Sequence, residues 1–301
     1  MGANSKIEWT DHTFNLAWGC TRVSEACKYC YAETWAKRTG FSDLWGAQAN
    51  RRTFGENHWR EPLKWNEQAG REGVRRRVFC SSMADVFEDH PTIAQERLKL
   101  WPLIQATPHL DWLLLTKRPE NLSRMLPFGW FGEGADNHWP NVWLGTTCEN
   151  QQRADERIPE LLRIPAHVRF LSCEPLLGPI DLLKVFPALG VSNEKYWDEE
   201  GNPIADGSGF ADIHWVIAGG ESGPHARPSH PDWLRSLRDQ CAEAGVPFFF
   251  KQWGEHLPHG QSGADGGRVV FDSHQDRWTE RIGKKNAGNL LDGREWKQFP
   301  N

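Results

Sequence analysis

Three cysteines fall close together in the run Trp18-Gly19-Cys20-Thr21-Arg22-Val23-Ser24-Glu25-Ala26-Cys27-Lys28-Tyr29-Cys30-Tyr31, a C-x6-C-x2-C array with an aromatic residue just before its last member. Three thiols without an obvious fourth point to a metal centre with one open coordination position, because structural zinc sites are normally closed by four Cys or His ligands. An iron-sulfur cluster is the natural occupant. Thiolates are its protein ligands, and three of them on a cube of four irons leave one iron free. A zinc site completed by His12 is the alternative. Disulfides are disfavoured: the cysteine count is 7, an odd number, and the opening Met1-Gly2-Ala3-Asn4-Ser5-Lys6 lacks the apolar core of a secretory signal, so a reducing, cytoplasmic compartment is expected. Cys80, Cys148, Cys173 and Cys241 lie in apolar runs or a helix and read as buried, inert thiols.

Polar and charged residues also close a series of apolar runs, in Ser81-Ser82-Met83-Ala84-Asp85, Thr116-Lys117-Arg118, Thr146-Thr147-Cys148-Glu149-Asn150, Ser172-Cys173-Glu174, Gly219-Gly220-Glu221-Ser222 and Lys251-Gln252. The runs themselves are Thr13 to Trp18, Val78 to Ser82, Trp112 to Thr116, Val142 to Thr146, Val168 to Ser172, His214 to Gly219 and Pro247 to Gln252. They are too continuously apolar for one-sided surface strands, which predicts a buried parallel sheet. Helices are expected between them: Pro91 opens Thr92 to Ala106, Glu149-Asn150 precede a charged helix to about Leu162, and Ser229 and Pro231 begin one that runs to Ala244 and stops at Gly245. Alternating strands and helices predict an α/β fold, a partial or complete (β/α) TIM-like barrel of parallel strands with an N-terminal cysteine loop. In such a barrel the strand ends and the cysteine loop share one rim, where catalytic groups sit.

Residues 1–253 are therefore expected to form the barrel, with an insertion at about 41–77 that carries Trp45, Trp59 and Trp65 and no strong strand. Residues 254–301, Gly-rich at first and including Arg268-Val269-Val270-Phe271, read as a small hairpin-containing C-terminal extension packed on the barrel. The chain of 301 residues, 39% hydrophobic and 25% charged, can bury one large core or two modest ones. No apolar stretch approaches the ~20 residues of a membrane span. A net charge of -5 argues against a generally basic nucleic-acid coat, although Arg75-Arg76-Arg77, Lys117-Arg118 and Lys284-Lys285 offer local phosphate contacts. The 17 tryptophans are expected to pack, not to stack on bases.

The cysteine array followed by strand-helix repeats resembles the radical S-adenosylmethionine (SAM) superfamily, in which a partial barrel carries a 4Fe-4S cluster whose open iron binds SAM. The sequence is most similar to the phage-type three-Cys-motif family, sometimes encoded beside a three-Cys-motif partner protein. That resemblance rests on the cysteine array through Cys30-Tyr31-Ala32-Glu33 and on Ile7-Glu8-Trp9-Thr10-Asp11, Ser82-Met83-Ala84-Asp85-Val86-Phe87, Leu114-Leu115-Thr116-Lys117-Arg118-Pro119, Ser172-Cys173-Glu174-Pro175-Leu176, Ala218-Gly219-Gly220-Glu221-Ser222-Gly223 and Phe250-Lys251-Gln252-Trp253-Gly254. Two departures matter. The first cysteine gap is three residues longer than the superfamily's C-x3-C-x2-C, and Gly219-Gly220-Glu221 follows the sixth expected strand instead of the second. The SAM-amine role of that element is accordingly not carried over to Glu221.

The resemblance implies a reductive mechanism. A reduced cluster passes an electron to the sulfonium of SAM, and the resulting 5'-deoxyadenosyl radical abstracts hydrogen from a substrate over the rim. It makes Cys20, Cys27 and Cys30 the cluster ligands, Ser82, Asp85, Thr116 and Ser172 holders of SAM polar groups, and Glu174, Glu221, Lys117 and Lys251 the groups that orient substrate or move a proton. It implies an electron donor protein and a three-Cys-motif partner protein but fixes no substrate; a nucleic acid or nucleotide is the preferred one, on phage kinship and the local basic groups. Two rivals stand beside it. One is a non-catalytic zinc-stabilised module that binds nucleic acid or protein. The other is a metal-dependent hydrolase, disfavoured because the compact ligand set is sulfur.

Overall fold

The computed structural model describes residues 2–130, 139–185, 196–197, 203–205, 212–264 and 278–300. Its strands are β1 (His12–Thr13), β2 (Arg76–Cys80), β3 (Leu110–Thr116), β4 (Val142–Thr147), β5 (Val168–Cys173), β6 (Tyr196–Trp197), β7 (Pro203–Ala205), β8 (Trp215–Gly219), β9 (Phe248–Gln252), β10 (His256–Pro258) and β11 (Thr279–Arg281). Its helices are α1 (Tyr31–Arg38), α2 (Glu56–Glu72), α3 (Pro91–Gln105), α4 (Leu122–Met125), α5 (Gln151–Leu162), α6 (Pro231–Glu243) and α7 (Lys284–Ala287). Seven strands form one sheet in the order β1-β2-β3-β4-β5-β8-β9. This is the α/β, partial TIM-like arrangement of parallel strands that the alternating pattern predicts. The β2–β3, β4–β5 and β8–β9 crossovers run through α3, α5 and α6, the three helices whose start signals are legible in the sequence.

The chain divides into two compact units, Met1–Thr146 with Arg163–Val168, and Thr147–Leu162 with Arg169–Asn301. In the first, β2 and β3 pair in parallel with Val78 opposite Trp112, and both are buried. Helix α3 starts at Pro91, and His90 Nδ1 accepts the Thr92 N–H at 3.3 Å. That side chain satisfies a backbone donor that the helix itself cannot. In the second unit α6 repeats the device: Pro231 opens it and His230 Nδ1 accepts the Asp232 N–H at 3.2 Å. The chain then turns at Gly245, whose φ of 69° lies in the left-handed region.

Two local expectations change. The first strand, expected over Thr13 to Trp18, ends at Thr13. Phe14 N–H still reaches the Phe79 carbonyl at 3.0 Å, but the next residue, Asn15, turns its side chain onto Ser82 and Met83, and the chain leaves the sheet. The expected insertion at 41–77 contains α2, 17 residues long, and its last residues begin β2. Its Trp65 and Ala69 are buried, and Trp59 meets Phe14 edge-on at 5.2 Å between ring centroids.

At the start of β2 the expected basic cluster is already neutralised. Arg75 grips Asp111, Arg76 pairs with Glu72 and Asp11, and Arg77 with Asp11. In the second unit β10 and β11 pair antiparallel. The tail beyond them runs beside β9, where Phe250 N–H donates to Trp296 O at 2.8 Å and Gln298 N–H to Phe248 O at 3.2 Å. The Arg268 to Phe271 segment lies outside the described residues.

Candidate metal centre

All seven cysteines are free thiols, and they fall into two classes: Cys20, Cys27 and Cys30 are half-buried, whereas Cys80, Cys148, Cys173 and Cys241 are buried. The cysteine loop follows β1 within the first unit. Trp18 bridges to Arg52 and Cys20 to Trp45, so the loop is laid against the insertion. Gly19, at φ 112°, is required there because a Cβ would run into the Leu44 carbonyl oxygen. Arg52 lies over the rings of Trp18 and Phe41, 4.2 and 4.3 Å from their centroids.

Cys27 closes a short 3-10 turn, and Cys30 caps the N-terminus of α1. Burial pushes the Cys30 thiol above its ordinary pKa, while backbone N–H groups of Glu33 and Ala32 and the charge of Lys117 work the other way. Burial pushes Cys20 up to about 12, against the pull of Arg118. Cys20 Sγ receives Arg118 Nη1 at 3.6 Å and donates to Thr21 O at 3.4 Å. Among the described residues no three His, Cys, Asp or Glu side chains are gathered as a metal site requires. His12, the proposed fourth ligand of the zinc alternative, stacks on Trp65 with ring centroids 4.5 Å apart, a face contact that leaves its ring nitrogens in the plane. The donor chemistry fits an iron-sulfur cluster: three free thiols on one loop, with N–H and cationic groups near two of them.

Around this loop sits a buried ionic network. Arg51 grips Glu88 through Nε and Nη2, at 2.9 and 2.8 Å. Arg118 donates to Asp85 Oδ2 at 3.0 Å and to Thr21 O at 2.6 Å, and its Nη2 is 3.6 Å from Glu88 Oε1. Burial works against the Arg118 cation, but Asp85, Cys20 and Glu88 outweigh it and hold its pKa above the ordinary value. Asp85 also accepts Thr116 Oγ1 at 2.7 Å, Lys117 N–H at 3.0 Å and Phe87 N–H at 3.0 Å. The structure thus brings Asp85 and Thr116 together as a brace between the ends of β2 and β3. Ser82 Oγ bonds Asn15, and its carbonyl accepts the Tyr31 hydroxyl at 2.7 Å.

The remaining strand-end residues belong to the second unit. Glu174 takes Lys251 Nζ on both oxygens, at 2.6 and 2.8 Å, and accepts Gln252 Nε2 at 3.2 Å. This pair is partly exposed, with side chains 16% and 18% accessible. Glu221 is buried and held by Arg227, whose backbone N–H and Nε each reach Oε2 at 2.8 Å while Nη2 reaches Oε1 at 2.6 Å. Both Glu221 oxygens therefore fasten the loop after β8. Ser172 is buried, and its carbonyl accepts Cys148 N–H at 3.0 Å. Gly220, just before Glu221, and Gly254, after β9, have a packing reason, since a Cβ on Gly220 would meet the Trp253 carbonyl and one on Gly254 the Glu221 carbonyl. Arg51, Glu88, Arg118, Asn15 and Arg227 were not singled out as site residues by sequence. The one available signal was that Asp85 and Arg118 both follow expected strands.

The sequence matches the family described as "Protein of unknown function (DUF5131)" over residues 4–300. No curated protein matches it. Among solved structures, spore photoproduct lyase complexed with dinucleoside spore photoproduct is similar at 12% identity and a TM-score of 0.45, covering 81% of this chain and 64% of that one. A mutant of that lyase with bound AdoMet and dinucleoside spore photoproduct gives 12% identity, a TM-score of 0.42, and coverage of 80% and 66%. A further point mutant gives 13%, 0.46, and coverage of 91% and 72%. The chain spans less than two thirds of the first of these proteins.

Proposed function

The chain belongs to the DUF5131 family, and we propose that it is an iron-sulfur enzyme of the radical SAM type acting on a nucleotide or nucleic-acid substrate. The observation that carries this reading is the loop after β1, where Cys20, Cys27 and Cys30 are the half-buried members of a set of free thiols, with Arg118 at the first sulfur and Lys117 near the last. When bound, the cluster and SAM supply one-electron cleavage of a sulfonium and a carbon radical.

The chain's own residues do the rest. Cys20, Cys27 and Cys30 hold the cluster. Ser82 and Ser172 offer polar groups to SAM, and Asp85 and Thr116 fix the strand ends that present it. Lys251 and Glu174 form a proton-bearing pair that orients substrate. Lys117 places a cation beside the cysteines, and Glu221 holds the β8 loop through Arg227. On and beside the cysteine loop Lys28 is exposed, and Arg22 and Lys37 share the single carboxylate of Glu33, an excess of positive charge that favours an anionic substrate. An electron donor protein and a three-Cys-motif partner protein belong to the same proposal.

Anaerobic reconstitution followed by iron and sulfide analysis tests it. The expected protein is brown, bleaches on reduction, and with reductant converts SAM to methionine and 5'-deoxyadenosine. Colourless protein with stoichiometric zinc after the same treatment would overturn the reading in favour of a metal-stabilised binding module.

A further inference from the structure

We propose that Arg118 is the positioning residue of the first cysteine: it clamps the chain at Thr21 and sets the charge felt at the Cys20 sulfur. The inference rests on the iron-sulfur reading above and deepens it. It begins with Thr21, every polar group of which is taken. Its N–H donates to Glu88 Oε1 at 2.7 Å, its carbonyl accepts Arg118 Nη2 at 2.6 Å, and its hydroxyl accepts Arg51 Nη2 at 3.1 Å. On the other side of Cys20, Gly19 N–H donates to Met83 O at 3.0 Å, and the Cys20 carbonyl accepts Gly46 N–H at 3.1 Å. Cys20 is thus fixed from both sides by long-range partners. Cys27, by contrast, has a backbone bond to Ser24 within its own turn.

The clamp answers the problem set by the long first gap of the array. Six residues separate Cys20 from Cys27, and a loop of that length without anchors would cost ordering entropy each time the ligands were gathered. Anchoring its first residue moves that cost into folding. The anchors come from the insertion (Arg51), the loop after β2 (Glu88) and the residue pair after β3 (Arg118), so the site is assembled only when all three are in place.

The charges divide evenly. Arg51 and Arg118 face Asp85 and Glu88, and Arg118 is the cation that touches sulfur. Removing Arg118 leaves a net negative set beside Cys20, which disfavours adding an electron to a bound cluster. Removing the Asp85 charge leaves a net positive set, which favours it. A lysine at 118 keeps the charge but cannot fork to Asp85, Thr21 and Cys20 together. Charge and clamp are therefore separable.

The experiment compares Arg118→Gln, Arg118→Lys and Asp85→Asn with the parent protein by two readouts, the reduction potential of the reconstituted protein and hydrogen exchange of the peptide containing Thr21 in metal-free protein. Arg118→Gln is expected to shift the potential negative and to speed Thr21 exchange at least about tenfold. Arg118→Lys should keep the potential close to the parent value while exchange accelerates. Asp85→Asn should shift the potential positive. Unchanged exchange in Arg118→Gln, or shifts of the same sign in Arg118→Gln and Asp85→Asn, would overturn the proposal. If Arg118→Gln does not fold, the lysine and Asp85 variants still decide it. A parent protein that takes up no iron and sulfide sinks the functional reading instead, and exchange in the metal-free variants then judges the clamp separately.

Discussion

Cys30 holds the N-cap position of α1 and Cys27 closes a tight turn, so Ala at either position leaves the helix and turn backbone bonds in place and removes a single proposed ligand. Iron content after anaerobic reconstitution should fall at least about tenfold in each single variant, as ligand loss outweighs the effect of losing an outer partner. Full iron in the Cys27→Ala protein would show that the array has another purpose. Glu174→Gln tests the second unit. Gln can still accept from Lys251 but cannot bear the charge, so turnover should drop about 10²-fold with the circular dichroism spectrum and iron content unchanged. Undiminished turnover would leave the pair as a strand-end brace. At this scale the sequence shows the cysteine array plainly, because its spacing is local. It hides the partners: Thr21 meets Arg51, Glu88 and Arg118 across separations of 30, 67 and 97 residues, which no local pattern encodes.

Among elements, the ends of β8 and β9 are joined by close backbone approach at Gly220 and Gly254. Gly220→Ala should cost about 1–3 kcal/mol, the range for forcing atoms into a packed site. Denaturant unfolding reads it, and a loss under about 0.5 kcal/mol would show that the strands can part. Helix α6 is tied to the tail by Asp292, which accepts Arg235, Arg238 and Gln261. Hydrogen bonding from Arg235 leads the causes that hold its pKa below the usual carboxylate range. A depressed folded pKa stabilises above the unfolded value and loses that contribution as pH falls. Asp292→Asn should therefore destabilise at pH 7 by about 1 kcal/mol, discounted for exposure, and the gap should begin to narrow below about pH 4 and keep narrowing as the pH falls towards the depressed folded value. A gap of constant size from pH 7 down to pH 2 would assign the effect to packing. Buried strands such as Leu110–Thr116 were legible because a continuous apolar run leaves few alternatives. Helix α2 was not: its segment is mostly polar, Pro62 interrupts it, and its buried residues Pro62, Trp65 and Ala69 form a narrow stripe.

For the whole molecule, the strands of the main sheet lie in chain order, each new strand beside the last, as parallel strands joined by crossovers do. That made the fold class readable from alternation alone. Alternation says nothing of where the chain divides, and the two compact units part within the β4 to β5 crossover, so that α5 and the strand before it fall to different units. The division of the thiols between accessible and enclosed positions has an analytical consequence. The metal-free native protein should consume at most about three equivalents of a small alkylating agent, at a pH high enough to ionise thiols whose pKa burial raises, and the denatured chain seven. Loading with iron and sulfide should reduce the native figure to about zero while leaving the denatured figure unchanged after the metal is stripped. Mass spectrometry of the intact chain reads each state directly, and four or more fast-reacting thiols in the native protein would contradict the enclosure of Cys80, Cys148, Cys173 and Cys241. The chain thus carries an internal titrant for occupancy of its own centre, one that needs neither substrate nor turnover.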